Sequence, residues 1–114
     1  MKSSPIMTIN KDEVILKKNS NNYYDDTIEI INSTNSFLIY KIFVNVKGIY
    51  STTPASSYIK PKESINVYIK REITKESIAN EVIKVSAYLE NQVVDVSLSY
   101  FRMQILKTFS IKIN

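Results

Sequence analysis

The 114-residue sequence contains no cysteine and no histidine. The lack of cysteine excludes disulfide bonds and thiol catalysis, and it is typical of proteins from reducing compartments. Without histidine the chain can build neither the Ser-His-Asp and Cys-His nucleophilic sites nor the usual zinc ligand sets. We therefore expect no catalytic residue, no metal site and no cofactor.

Glycine is almost as scarce, since Gly48 is the only one in the chain. A single glycine cannot form a glycine-rich phosphate loop, and the calcium-loop pattern of spaced acids around a glycine is absent. Two adjacent acidic pairs remain, Asp12-Glu13 and Asp25-Asp26. Neighbouring side chains on a strand or turn diverge rather than converge on one substrate. These features predict that the protein is not an enzyme.

The sequence has no long apolar run and no basic stripe. Charged residues interrupt the amino-terminal segment, and no stretch approaches the roughly 18 apolar residues of a membrane span. The net charge is +4, but the lysines are scattered, as is typical of solvated strand faces. We expect a cytoplasmic protein without membrane insertion or a nucleic-acid partner. Asn32-Ser33-Thr34 matches a glycosylation sequon, which we interpret as a polar turn.

Alternating apolar residues predict strands throughout the chain. The expected strands cover 6–9, 14–16, 27–32, 37–46, 64–71 and 81–89, and a last hairpin starts at Val94 and ends at Ile113. Residues 19–26 are predicted to be a polar turn, 49–60 an irregular link, and 74–80 at most one helical turn. Short strands at this spacing indicate one domain over residues 1–114, an all-β, immunoglobulin-like, seven-stranded antiparallel sandwich.

The alternation also assigns side chains to the core or to the surface. The inward positions of the strands predict a shared core of Ile28, Ile30, Tyr40, Ile42, Val67, Ile69, Ile83 and Val85. Ile39 and Phe43 fall on the opposite face of the strand over 37–46, where a sandwich standing alone would expose them. Exposed apolar side chains of this size often mark a contact surface. Alternatively, the chain's own residues 6–16 cover them.

Residues 38–67 carry a resemblance to a known family. They read LIYKIFVNVKGIYSTTPASSYIKPKESINV, which is a strand, an aromatic residue, two prolines and another strand. Tyr40-Lys41-Ile42, Tyr50 and Pro54 fall where the major sperm protein (MSP) domain has aromatic-lysine-valine, an aromatic residue and a proline. The chain resembles that family, which implies a PapD-like, immunoglobulin-like sandwich. One departure is Gln104 to Lys107, which replaces the family's glycine-rich loop before the last strand.

The resemblance implies two kinds of function. The nematode sperm-protein branch self-associates into motility filaments, and the VAP branch binds acidic peptides that carry two phenylalanines. The peptide site of that second branch aligns with Phe43-Val44-Asn45 and Val82-Ile83-Lys84, so Phe43 and Val82 replace two positive charges.

We therefore expect self-association, as a homodimer or filament of cytoskeletal type. The alternative is an adaptor, VAP-like or divergent, that binds peptide motifs of partner proteins. The candidate interaction residues are Ile39, Lys41, Phe43, Asn45 and Lys84.

Overall fold

The structure is a computed structural model that describes residues 7–19, 22–46, 48–73, 81–90 and 104–113. The helical turn expected over 74–80 and the start of the last hairpin, from Val94 to Tyr100, lie outside these residues. Every regular element in the described ranges is a strand, so the predicted all-β class is confirmed.

Nine strands occur in these ranges, rather than the seven expected. They are β1 (Met7–Ile9), β2 (Val14–Lys18), β3 (Tyr23–Asn32), β4 (Phe37–Val44), β5 (Tyr50–Thr53), β6 (Ser56–Ile59), β7 (Ser64–Glu72), β8 (Val82–Glu90) and β9 (Gln104–Ile113). They form one hydrogen-bonded path in the order β5-β7-β3-β2-β9-β8-β4-β6, and β1 also pairs with β3.

This path folds into two antiparallel sheets joined by β2. The first sheet contains β5, β7, β3 and β1, and the second contains β6, β4, β8 and β9. Lys17 and Lys18 pair antiparallel with β3, whereas Val14 to Leu16 pair parallel with β9. One strand therefore leaves the first sheet and enters the second.

The inner faces of the two sheets meet in a single core. All eight predicted core residues are buried in it, which confirms the assignment of strand faces. Val14, Leu16, Leu38, Ile59, Ala87 and Phe109 complete the buried cluster. Both sheets and the linking strand contribute, so the two layers stabilise each other by burying apolar surface.

The prediction of an irregular link over 49–60 is wrong, because this segment contains β5 and β6. Tyr50 to Thr53 pair with β7 at the edge of the first sheet, and Ser56 to Ile59 pair with β4 at the edge of the second. The peptide bond before Pro54 is cis at the corner between them. These serine- and threonine-rich segments become strands because long, apolar neighbours supply their hydrogen-bond partners.

Two other segments also form strands against expectation. Residues 23–26, expected in a turn, start β3, because Tyr24 pairs with Arg71 and Asp25 pairs with Lys70 on β7. The Asp25 carboxylate accepts hydrogen bonds from Asn19 and Tyr68. Gln104 to Lys107, which stand where the MSP family has a loop, form the first part of β9.

Asn32, the first residue of the glycosylation sequon, is fully buried. Its side-chain amide donates hydrogen bonds to the carbonyls of Ser36, Ile59 and Lys60 at 2.8–3.1 Å. Its Oδ1 accepts from the backbone and hydroxyl of Thr34. Asn32 therefore fastens the β3–β4 turn to the end of β6, and the polar-turn interpretation of the sequon agrees with this geometry.

A buried ion pair connects the two sheets. Arg71 lies on β7 and Glu81 directly precedes β8; their side chains are 1% and 3% exposed, with Nε to Oε1 at 2.9 Å. Burial opposes the charge on Arg71, but the hydrogen bond and charge of Glu81 outweigh it and raise the pKa of Arg71. The Tyr50 ring lies 5.8 Å from the guanidinium carbon, and burial raises the pKa of its phenol.

Candidate protein-interaction surface

The candidate residues lie on the outer face of the second sheet, the face turned away from the core. Because side chains alternate along a strand, Ile39, Lys41 and Phe43 share this face of β4. Phe43 lies opposite Lys84 on β8 in the antiparallel register. The structure therefore brings four of the five candidates, all but Ile39, to one end of this face.

Three of these residues form what we call the Phe43 cluster, which consists of Lys41, Phe43 and Lys84. The Lys41 Nζ atom lies 5.0 Å from the centroid of the Phe43 ring, within the range of a cation–π contact. The Phe43 side chain is 42% exposed, so its expected exposure is confirmed. The cluster presents an apolar ring beside two positive charges.

Asn45 lies next to the cluster and extends the ladder between β4 and β8. Its side-chain Oδ1 accepts a hydrogen bond from the Val82 backbone amide at 2.8 Å, and the backbone amide of Asn45 donates to the Val82 carbonyl at 3.3 Å. The side chain thus supports the backbone that carries Phe43 and Lys84.

The expected exposure of Ile39 is wrong, because its side chain is 0% exposed. The face assignment holds, since Ile39 is separate from the core cluster. Tyr58 on β6 and Tyr88 on β8 are its cross-strand neighbours. Directly opposed side chains lie close enough to contact one another, so two tyrosines flank Ile39 where alternation alone predicts an open surface.

The alternative that residues 6–16 cover Phe43 does not hold for their described part. β1 pairs with β3, and β2 pairs with β3 and β9. Neither strand pairs with β4, and Phe43 remains exposed.

The structure adds apolar residues that sequence reasoning missed. Tyr58, Leu89, Ile105 and Leu106 are the other large apolar side chains exposed among the described residues. Tyr58 makes an edge-to-face contact with Phe37, with ring centroids 6.0 Å apart. Tyr58 lies in the segment predicted to be an irregular link, and Ile105 lies in the segment that was matched to the MSP family's loop. Their exposed positions on strands could be seen only once these segments were known to form β6 and β9.

An open depression of about 490 Å³ lies beside β2 and β3, and charged residues line it. Its carboxylates already have partners: Asp26 accepts from the Lys11 ammonium and the Ile15 amide, and Asp25 accepts from Tyr68. Within the described ranges, no group of three potential metal ligands occurs. This depression therefore offers intramolecular ion pairs rather than a built ligand site.

Of the segments that the structure describes, none is a helix with the length and apolar character needed to cross a membrane.

Comparison with solved structures defines the class of fold. The protein is similar to WR4, an MSP family member of C. elegans, with a TM-score of 0.72 and 13% sequence identity. The match covers 96% of this chain and 97% of WR4. SSP-19, an MSP-domain-like protein of Caenorhabditis elegans, matches 92% of this chain and 98% of its own at a TM-score of 0.69 and 15% identity.

The likeness extends to PapD-like domains. The PapD-like domain 7 of human CEP192 matches with a TM-score of 0.68 and 10% sequence identity. The match covers 99% of this chain and 90% of that domain's chain. Neither a protein-family model nor a curated protein matches the sequence. The protein thus has the immunoglobulin-like fold shared by MSP and PapD-like domains, as the sequence resemblance predicts.

Proposed function

We propose that this protein is a non-enzymatic interaction domain that associates with further copies of itself, as a structural component of filament type. One observation carries the proposal. Phe43 on β4 and Tyr58 on β6, two of the five large apolar side chains that are exposed among the described residues, both lie on the outer face of the second sheet. Clustered exposed apolar surface is characteristic of protein contact sites.

The outer face of the first sheet offers a contrast within the same molecule. Asp25, Thr27 and Glu29 on β3 lie opposite Lys70, Tyr68 and Asn66 on β7. This face pairs opposite charges and polar groups, as an antiparallel sheet facing water does. Among the described residues, only strands of the second sheet carry large exposed apolar side chains, so we assign the contact surface to this sheet.

The charges on the outer face of the second sheet favour a second copy as the occupant. Lys84 and Glu90 lie on the same face of β8, about 20 Å apart along the strand. A two-fold contact that packs the faces antiparallel brings Lys84 of one copy towards Glu90 of the other. Such an isologous contact is the commonest way in which identical chains associate, and complementary charges fix its register.

The chemistry of the chain supports a non-enzymatic role. Asp25 and Asp26, the most prominent acidic pair, already have partners: Asp25 accepts a hydrogen bond from Tyr68 on β7, and Asp26 accepts from the Ile15 amide of β2 and the Lys11 ammonium. The similar solved structures are MSP-family members, a PapD-like domain and chaperones such as SfaE, of which this chain spans about half the length. None of these names is that of an enzyme.

An adaptor function is the second candidate, and the Phe43 cluster favours it. An exposed ring between two lysines suits a segment that carries apolar and acidic side chains together. Such a partner is a peptide motif of another protein. Oligomeric state separates the two candidates, because only the first requires copies to associate.

The test is sedimentation equilibrium of the purified protein over a concentration series. We expect reversible association, and Phe43→Lys should shift the dimer towards monomer because it places a charge in the contact. Thr27→Lys, the same charge change at an exposed site on the first sheet, is the matched control and should leave association unchanged. A wild-type protein that stays monomeric at high micromolar concentration contradicts the proposal and favours the adaptor.

A further inference from the structure

We infer that Asn32 can accept an N-linked glycan only before the chain folds, and that glycan transfer and folding exclude each other. Asn32-Ser33-Thr34 has the acceptor pattern, with a residue other than proline in the middle. In secreted proteins such a sequence lies on the surface, where the bulky glycan is solvated. Here the asparagine is 0% exposed. This site is separate from the surface assigned to self-association.

The fold uses the Asn32 side-chain amide completely. Its Nδ2 atom has two hydrogens and directs them at the backbone carbonyls of Ser36, Ile59 and Lys60, at 2.8–3.1 Å. Glycan transfer joins Nδ2 to the first carbon of the sugar, replaces one of these hydrogens, and releases the lipid pyrophosphate that carried the oligosaccharide together with that proton. The remaining hydrogen cannot serve three carbonyls, and a buried acceptor that loses its donor is costly.

Turning the side chain outward cannot make room for the glycan. Asn32 alternates with Ile28 and Ile30, so it shares the core-facing side of β3 with them. Its backbone amide donates to the Glu63 carbonyl at 2.9 Å, and Asn32 pairs with Met7 of β1. Exposing its side chain requires a shift of strand register, which would expose the isoleucines as well. A glycan at this position therefore prevents the fold.

The order of the chain decides which event comes first in a compartment that glycosylates proteins. The carbonyls of Ile59 and Lys60 follow Asn32 by 27 and 28 residues. β7, which pairs with β3 over almost its whole length, follows later still, and β8 and β9 come last. During synthesis the sequon therefore emerges before the groups that bury it, and its amide can react. The folded protein accordingly belongs to a compartment without N-glycosylation.

The test is cell-free translation of the full chain, behind a cleavable signal peptide, into microsomal membranes. A competing acceptor tripeptide blocks glycan transfer in a parallel reaction. Glycosylation is measured as a glycosidase-sensitive gain in mass, and folding as resistance to trypsin after mild detergent. We expect the glycosylated chain to be cut at least about tenfold faster than the unmodified chain, because cleavage follows the population of open molecules.

Two variants separate the position of the glycan from its presence. Ser33→Pro removes the acceptor pattern and keeps Asn32, whose extended backbone at the end of β3 suits a following proline. It should resist trypsin with or without the tripeptide. Adding Lys62→Asn creates an acceptor with Glu63 and Ser64 at an exposed turn, where a φ of 64° suits asparagine. This double variant should be glycosylated and still resist trypsin.

Equal trypsin resistance of the glycosylated and unmodified wild type would overturn the inference. So would a wild-type chain that stays unmodified in membranes that glycosylate the double variant, because its amide would then be buried before transfer. A double variant that becomes sensitive only when glycosylated would show that any glycan destabilises the chain, and it would overturn the role of Asn32. The tripeptide comparison uses only the wild-type sequence, so it decides the question even if Ser33→Pro impairs folding.

Discussion

Loss of the Glu81 carboxylate should be among the most damaging single changes in this protein. Arg71 directs its Nε and one terminal nitrogen at the two carboxylate oxygens, at 2.9 and 3.4 Å, and a second terminal nitrogen at the Glu72 carbonyl, at 3.0 Å. Glu81→Ala leaves a buried guanidinium without its counter-charge. Breaking a buried pair in this way costs about 3–5 kcal/mol.

That cost is a large part of the free energy of unfolding, which is about 5–15 kcal/mol for ordinary domains. With an unfolding entropy of about 2 cal/mol/K per residue, the same loss lowers the melting temperature by roughly 13–22 °C. Urea denaturation followed by circular dichroism measures the loss directly. Glu72→Gln, which removes an exposed acid one residue from Arg71, is the control and should change stability by less than about 0.5 kcal/mol.

A double variant separates the attraction between Arg71 and Glu81 from the free-energy cost of burying their two charges. Replacing Arg71 by Met and Glu81 by Leu together removes both charges and retains volume, so stability should return to near the wild-type value. A double-mutant cycle yields the coupling energy of the pair. The reasoning is refuted if Glu81→Ala costs less than about 1 kcal/mol, or if the double variant is as unstable as the single one.

Four other expectations can be checked with similar methods. Asn32→Ala should cost about 2–3 kcal/mol in urea denaturation, because three carbonyls lose a buried donor; a neutral effect would contradict this role. Burial raises the pKa of Tyr40 to about 12. The unfolded phenol ionises first, so the stability that Tyr40 contributes should be constant below about pH 10 and fall by roughly 2–3 kcal/mol by about pH 12; alkaline denaturation in which the wild type and Tyr40→Phe show the same pH dependence would count against it. Ile42→Ala should cost about 2–4 kcal/mol as a buried large-to-small change, and thermal unfolding that hardly shifts would refute its core position. Acidic peptides with two phenylalanines should bind weakly in calorimetry, since Phe43 and Val82 stand where the VAP branch has lysines; low micromolar affinity at physiological salt would contradict this.

The sequence predicted the parts of the fold that depend on regular alternation. Ile28, Ile42, Val67 and Val85 could be assigned to the core because each lies in a long strand with period-two apolar positions. The exposed position of Phe43 followed from the same pattern. These predictions hold because burial of one face decides the register of such strands.

Features that depend on tertiary neighbours could not be predicted. β5 and β6 are short and polar, and they become strands only because β7 and β4 supply partners. Ile39 alternates like Phe43, but tyrosines on both neighbouring strands flank it. The Arg71–Glu81 pair joins residues on different sheets, and no local pattern indicates that two such charges are buried together.

The most direct test of the account is NMR chemical-shift mapping of the wild-type protein between dilute and concentrated solution. The proposed self-association predicts concentration-dependent shifts at the amides of residues 39–43 and 82–88, on the outer face of the second sheet, and none at residues 25–29 of the first sheet. Spectra that do not change with concentration, or shifts confined to the first sheet, would contradict the assignment of this face as the surface through which the protein works.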